Sequence, residues 1–148
     1  MKAANPYLNF PGNTEEAFNF YKSVFGGEFQ SLVRFGDFPD NSMRVPEHEL
    51  HKIAHIALAL GPDNVLMATD TLESWPPLTA GNNFSILLDV ESVAEAERLF
   101  DGLSAGGTAE MPLQATAWAE KYGHCSDRFG IQWIVMYTGA VVLAAGSA

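Results

Sequence analysis

Four histidines, one cysteine and eighteen carboxylates are the side chains of this 148-residue chain suited to acid–base, nucleophilic or metal chemistry, and their spacing decides which of these is open to it. His48-Glu49-Leu50-His51 brings two imidazoles and a carboxylate together. It falls one residue short of H-E-x-x-H, the spacing that sets two imidazoles on one helix face to hold zinc, so it reads as a polar loop running into a strand. His124 and Cys125 are neighbours, but adjacent side chains on a strand point to opposite faces; no base-activated thiolate follows, and Cys125 reads as structural. His55 interrupts an apolar strand, a place where histidine serves either as a hydrogen-bonded core residue or as a pocket residue.

These side chains need elements to hold them. Asn13-Thr14-Glu15-Glu16 has the form of a capping box, in which Asn13 accepts from the first-turn amides and Glu16 reaches back. Ala17, Phe18, Tyr21, Val24 and Phe25 then recur at helical spacing until Gly26-Gly27, predicting a helix near 14 to 25. Ser92-Val93-Ala94-Glu95 opens a second helix near 92 to 104, with Val93, Ala96, Leu99, Phe100 and Leu103 on one face and Gly106-Gly107 behind it. Tyr7 to Phe10 and Phe84 to Val90 read as the strands that enter the helices. Phe29 to Phe35, Lys52 to Leu60 and Val65 to Thr69 follow the first, and Gln114 to His124 and Ile131 to Tyr137 the second, with turns at Gly61-Pro62-Asp63-Asn64 and Asp127-Arg128-Phe129-Gly130.

The order βαβββ is therefore written twice, the copies about eighty residues apart, too long a period for a solenoid. The expected fold is α+β: tandem βαβββ modules forming a curved, mainly antiparallel half-barrel sheet with helices on the convex side. One domain spans 1–148, with module one at about 4–70, module two at about 82–138 and a small-residue tail at 139–148. Gly36 to Leu50, rich in Pro, Asp, Asn and Glu, is the long irregular insertion, of a length that serves as a lid or stays mobile.

Composition narrows the partners. Eighteen acidic against eight basic residues give a net charge of −10, a field that repels phosphate backbones and anionic lipid, so nucleic acid and membrane surfaces are not expected partners. A lone cysteine suits a reducing compartment, and the start Met1-Lys2-Ala3-Ala4-Asn5-Pro6 lacks an apolar leader. The apolar stretch Ala140 to Ala145 is too short to span a bilayer, and a cytoplasmic location is expected. Open sheet edges, together with the apolar segment Ala140-Val141-Val142-Leu143-Ala144, predict a homodimer.

A tandem βαβββ repeat with Phe20-Tyr21 in its first helix and Gly130 in a strand hairpin resembles the vicinal oxygen chelate superfamily of glyoxalases, bleomycin-resistance proteins and dioxygenases. More specific words are Pro6-Tyr7-Leu8-Asn9-Phe10, Lys52-Ile53-Ala54-His55, Leu66-Met67-Ala68-Thr69-Asp70, and Trp118-Ala119 followed by Gly123, Asp127, Phe129-Gly130 and Trp133. These resemble the PhnB-like branch, also labelled demethylubiquinone methyltransferase-like, over nearly all of residues 4 to 138. Methyl transfer is not expected, because the glycine-rich strand-to-helix turn of a doubly wound sheet is missing.

In the metal-dependent members, the resemblance implies, histidines and carboxylates on the concave face hold a divalent ion that polarises substrate oxygens. The corresponding positions here are Asn5, Ala68, Ser85 and Ile134, which do not supply a coordination shell, so no metal cofactor is expected. With Leu8 and Phe10 turned to the helices, alternation points Asn5, Tyr7 and Asn9 into the concavity, followed by Ser85, Leu87 and Asp89 in the second module and Gln132, Ile134 and Met136 in the last strand. A one-residue slip would also turn Asp70 inward. The candidate ligand-binding residues are Tyr7, Asn9, His55, Asp70, Trp118 and Gln132. They suit a small organic molecule held by a few directed hydrogen bonds and aromatic contact. The alternative is a metal-dependent or metal-free lyase, isomerase or dioxygenase-like enzyme of the same fold.

Overall fold

A computed structural model describes residues 1–142. The chain divides into two compact units, Met1–Thr79 and a second that begins at Ala80, each carrying one helix on one four-stranded sheet. The architecture is α+β, the βαβββ order occurring twice.

The first unit contains β1 (Tyr7–Phe10), α1 (Thr14–Phe25), β2 (Phe29–Arg34), β3 (Ile53–Ala59) and β4 (Val65–Asp70). Its sheet runs β1-β4-β3-β2, with β1 parallel to β4 and the other pairs antiparallel. Leu8, Phe10, Ile56, Leu58, Leu66 and Ala68 are buried, and α1 contributes Ala17, Phe18 and Tyr21 with no exposed surface. Phe18 meets Phe10 edge-on at 6.5 Å between ring centroids and Tyr21 at 5.5 Å. Each large side chain buried in this way contributes roughly 1.5–3 kcal/mol, so the apolar stripe rather than helix propensity holds α1 in place.

The start of α1 differs from the capping box that the sequence suggests. Asn13 makes no side-chain cap. Asp70, at the end of β4, accepts the Thr14 amide on Oδ1 at 3.0 Å and the Ile53 amide on Oδ2 at 2.8 Å. One carboxylate thereby caps the helix and closes the start of β3. At the other end Gly26 takes φ 78, a left-handed conformation open to glycine without steric cost, and donates its amide to the Lys22 carbonyl at 2.8 Å.

The insertion between β2 and β3 has apolar anchors of its own. Phe35, Val45 and Leu72 form a small buried cluster against which Leu50, Ala54 and Trp75 pack. The Asn41 side chain bonds both the amide and the carbonyl of Val45, and short 3-10 turns at Phe35–Asp37 and Glu47–Glu49 bracket the segment. It is a surface loop anchored by Leu72 and Trp75 from beyond β4 and by Ala54 of β3.

The second unit contains β5 (Ile86–Asp89), α2 (Val93–Ser104), β6 (Thr108–Gln114), β7 (Lys121–Ser126) and β8 (Gln132–Tyr137), in the order β5-β8-β7-β6. Again one pair, β5 with β8, is parallel and the rest antiparallel. The Ser92 hydroxyl accepts the Glu95 amide at 3.0 Å, and the Glu95 carboxylate reaches back one residue further than a capping box, to the Glu91 amide. Ala96, Leu99, Phe100 and Leu103 are buried, as are Cys125, Trp133 and Val135 of the sheet. Gly123 lets α2 seat closely on β7: a Cβ there would lie 2.8 Å from Phe100 Cε2.

Two strand boundaries correct the sequence reading. The single strand expected at Gln114 to His124 is two strands, β6 ending at Gln114 and β7 starting at Lys121. Thr108–Gln114 is mostly exposed, contains Pro112 and has register irregularities, the marks of an edge strand whose two faces give no clean apolar alternation. The strand expected from Phe84 is shorter, Ile86–Asp89. Of the expected tail, residues 143–148 lie outside the described residues. No helix among the described residues is long and apolar enough to cross a membrane.

Candidate functional site

Each sheet has one face covered by its helix and one turned away from it, and strand alternation assigns the side chains. In the first unit Leu8 and Phe10 are buried while Tyr7 and Asn9 are exposed on the opposite face. Tyr7 is in register with Met67, Met67 with Ala57, and His55 with Val33. Across this face the Tyr7 hydroxyl lies 3.3 Å from His55 Nδ1, and the rings stack with centroids 5.8 Å apart. Partial burial raises the Tyr7 pKa above its ordinary value, so the phenol keeps its proton as a donor. With 46% of its surface still exposed, Tyr7 presents an aromatic ring with a polar tip to solvent.

In the second unit the open face carries Leu87, Ile134 and His124 in one row, and Asp89, Met136 and Tyr122 in the next. Ser85 Oγ lies 3.3 Å from His124 Nε2. Trp118, in the loop between β6 and β7, sets its ring edge-on to Tyr122 at 5.2 Å and remains 41% exposed; Leu87, on the open face of β5, is 47% exposed. Gln132 Nε2 donates to the Phe84 carbonyl at 2.8 Å, which orients the amide at the mouth of β8.

Of the six candidate residues, Tyr7, Asn9 and His55 share one open face, and Trp118 and Gln132 belong to the second unit. Asp70 is the exception. It is 2% exposed, lies on the helix side in register with Phe10, and uses both oxygens on backbone amides. Asp70 therefore does not face the open side of β4, and its carboxylate holds the start of α1 and of β3.

His124, Tyr122 and Ser85 complete the polar and aromatic lining of the second face. His124 is overlooked if it is weighed only as a partner for Cys125; alternation from the buried Cys125 would have placed it on the open side. Cys125 is fully buried, and desolvation by burial, with smaller contributions from Glu110 and Asp127, pushes its thiol up to about 12, which leaves it protonated and inert at neutral pH. Trp133 is likewise fully buried, its indole Nε1 donating to Asp127 Oδ2 at 2.9 Å.

Asn5, Ala68, Ser85 and Ile134 are the four positions that the resemblance implies for metal ligands. Ala68 is buried on the helix side in register with Leu8, so Met67 and not Ala68 turns to the open face of β4. Asn5 Oδ1 accepts the Val65 amide at 3.3 Å. Ser85 offers a neutral hydroxyl, and Ile134 no donor at all. This donor set does not fit a divalent ion.

Comparison with known proteins agrees with this architecture. Residues 2–136 match the family model described as 3-demethylubiquinone-9 3-methyltransferase. The chain is 31% identical over 141 residues to Protein YjdN of Escherichia coli K12, covering 88% of this chain and 92% of that one. Protein PA1353 from Pseudomonas aeruginosa superposes with a TM-score of 0.80 at 41% identity, covering 90% of this chain and 96% of that one. A Bacillus cereus PhnB protein, titled a putative 3-demethylubiquinone-9 3-methyltransferase, gives 0.69 at 25% identity, over 90% and 98%. Likeness of fold alone extends to a glyoxylase/bleomycin resistance protein/dioxygenase domain from Frankia, with a TM-score of 0.65 at 12% identity over 93% and 98%.

Proposed function

The chain belongs to the 3-demethylubiquinone-9 3-methyltransferase family, the PhnB-like branch of the vicinal oxygen chelate superfamily, and from that premise we propose that it binds a small organic molecule against the open faces of its sheets. The observation that carries this reading is the company kept by the exposed rings. Tyr7 and Trp118 stand exposed on surfaces that also present an imidazole–hydroxyl pair, Tyr7 with His55 in one unit and Ser85 with His124 in the other. Aromatic area beside a few directed polar atoms is the usual lining of a small-molecule site. Asn9 and Gln132 add amide donors and acceptors, and Leu87 and Met67 apolar surface.

Methyl transfer is not part of this proposal. The strands of the chain form two mixed four-stranded sheets, each with a single parallel pair, and not the doubly wound parallel sheet whose glycine-rich turn cradles a nucleotide-like cofactor. Binding is tested by incubating the purified protein with a bacterial metabolite extract, desalting, and identifying retained compounds by mass spectrometry. A retained compound recovered unchanged supports the binding reading. Turnover of a retained compound, or of methylglyoxal with glutathione, would replace it with an enzyme of the same fold.

Assembly as a homodimer belongs to the same proposal. Each sheet ends in two edge strands, β1 and β2 in one unit and β5 and β6 in the other, and such edges favour pairing or cover. Sedimentation at micromolar concentration is expected to return twice the chain mass of 16.1 kDa; a clean monomer would contradict it.

A further inference from the structure

The first unit holds a cluster of metal-ligating side chains that the open faces do not use. His48, Glu49 and Glu73 each place one ligand atom within 4.8 Å of the others. His48 Nε2 and Glu73 Oε2 are 3.1 Å apart and both side chains are solvent-exposed, whereas Glu49 is 1% exposed. Around an ion with bonds of about 2.0–2.2 Å, tetrahedral ligand atoms lie about 3.3–3.6 Å from one another, so the His48–Glu73 pair already stands near coordinating separation.

The Glu49 carboxylate supplies the independent sign. Its Oε2 accepts Lys52 Nζ at 2.6 Å and the Glu73 amide at 3.0 Å, which fixes the group at the foot of Glu73. Its Oε1 is buried and has no hydrogen-bond partner among the described residues. A buried carboxylate oxygen without a partner is costly, and a cation is the partner that satisfies it most strongly.

We propose that His48, Glu49 and Glu73 form a binding site for a divalent first-row transition ion of the zinc class. One imidazole nitrogen and two carboxylate oxygens are a borderline donor set, matched to zinc better than to calcium or magnesium, which take oxygen ligands. Three protein ligands leave a fourth position for water. Lys52 bonds Oε2, so Oε1 is the Glu49 oxygen that has no protein partner among the described residues. The bound ion would tie the Glu47–Glu49 turn to the segment after β4, cross-linking the base of the 36–50 loop.

Zinc is the probe. Chelator-treated protein is titrated with Zn²⁺ against a chromophoric competitor, alongside His48→Ala, Glu73→Gln, and His51→Ala as a control. The proposal expects one equivalent bound per chain, a higher unfolding temperature with zinc, a tenfold or greater loss of affinity in His48→Ala and in Glu73→Gln, and no change in His51→Ala. Both test residues are exposed, so these variants are expected to fold as the parent does, checked by circular dichroism. No stoichiometric zinc binding by the parent protein, or binding indifferent to both substitutions, would overturn the assignment.

Discussion

Tyr7 and His55, 48 residues apart in sequence, meet on the open face of the first sheet with the phenol oxygen 3.3 Å from Nδ1 and the rings stacked. Neither belongs to the buried stripe under α1, so their pairing belongs to the surface that the proposed ligand would touch. Tyr7→Ala is therefore expected to cost less than about 1 kcal/mol in urea unfolding. Affinity for a retained compound that contacts the first sheet is expected to fall about tenfold, roughly the 1.4 kcal/mol of one lost ring contact with its hydrogen bond. A stability loss of core size, with affinity unchanged, would show that the ring is structural.

Asp70 has the opposite profile. Its two oxygens cap α1 at Thr14 and close β3 at Ile53, both buried. Asp70→Ala leaves two amides without partners, and the expected loss is about 2–4 kcal/mol by denaturant unfolding, from a lost cap and an orphaned buried donor. A loss under about 0.5 kcal/mol would mean that the amides find other partners.

Glu49 gives the chain an acid-sensitive contact. The hydrogen bond from Lys52, reinforced by the Glu73 amide, lowers the Glu49 pKa below the ordinary glutamate value. A group depressed in the folded state contributes stability that is fully present above its unfolded pKa and is lost as the pH falls through the folded one. In chelator-containing buffer, the stability gap between the parent protein and Glu49→Gln is expected to be widest near pH 7 and to close below the ordinary carboxylate range. A gap that stays constant into acid would contradict the assignment.

How much of this was legible in the sequence follows from the range of each interaction. Helix α1 runs over Thr14–Phe25 as predicted because its apolar spacing and its glycine stop are local. Its cap was not legible, since Asp70 comes from the end of β4, 56 residues on in sequence, while the local candidate Asn13 makes no cap. Strand β6 escaped because an exposed edge strand with Pro112 carries no alternating pattern. On the open faces, alternation placed Tyr7, Asn9 and Gln132. His124 needed only the same rule applied from Cys125, whereas the approach of Glu73 to His48 depends on how the loop folds back and has no signature in spacing.

The central claim, that a small molecule rests on the open faces and leaves the helix-covered faces untouched, has built-in reporters in the three tryptophans. Trp118 stands exposed beside Tyr122, Trp133 is sealed in the core with its indole bonded to Asp127, and Trp75 packs on Phe35 at the loop cluster. In ¹H–¹⁵N spectra recorded during titration with a compound retained from the metabolite extract, the account predicts shifts at the Trp118 indole or at the amides around Tyr7, Asn9 and His55. The Trp133 and Trp75 indole signals should hold still. Shifts confined to Trp75 or Trp133, with the open-face signals unmoved at saturation, would contradict it.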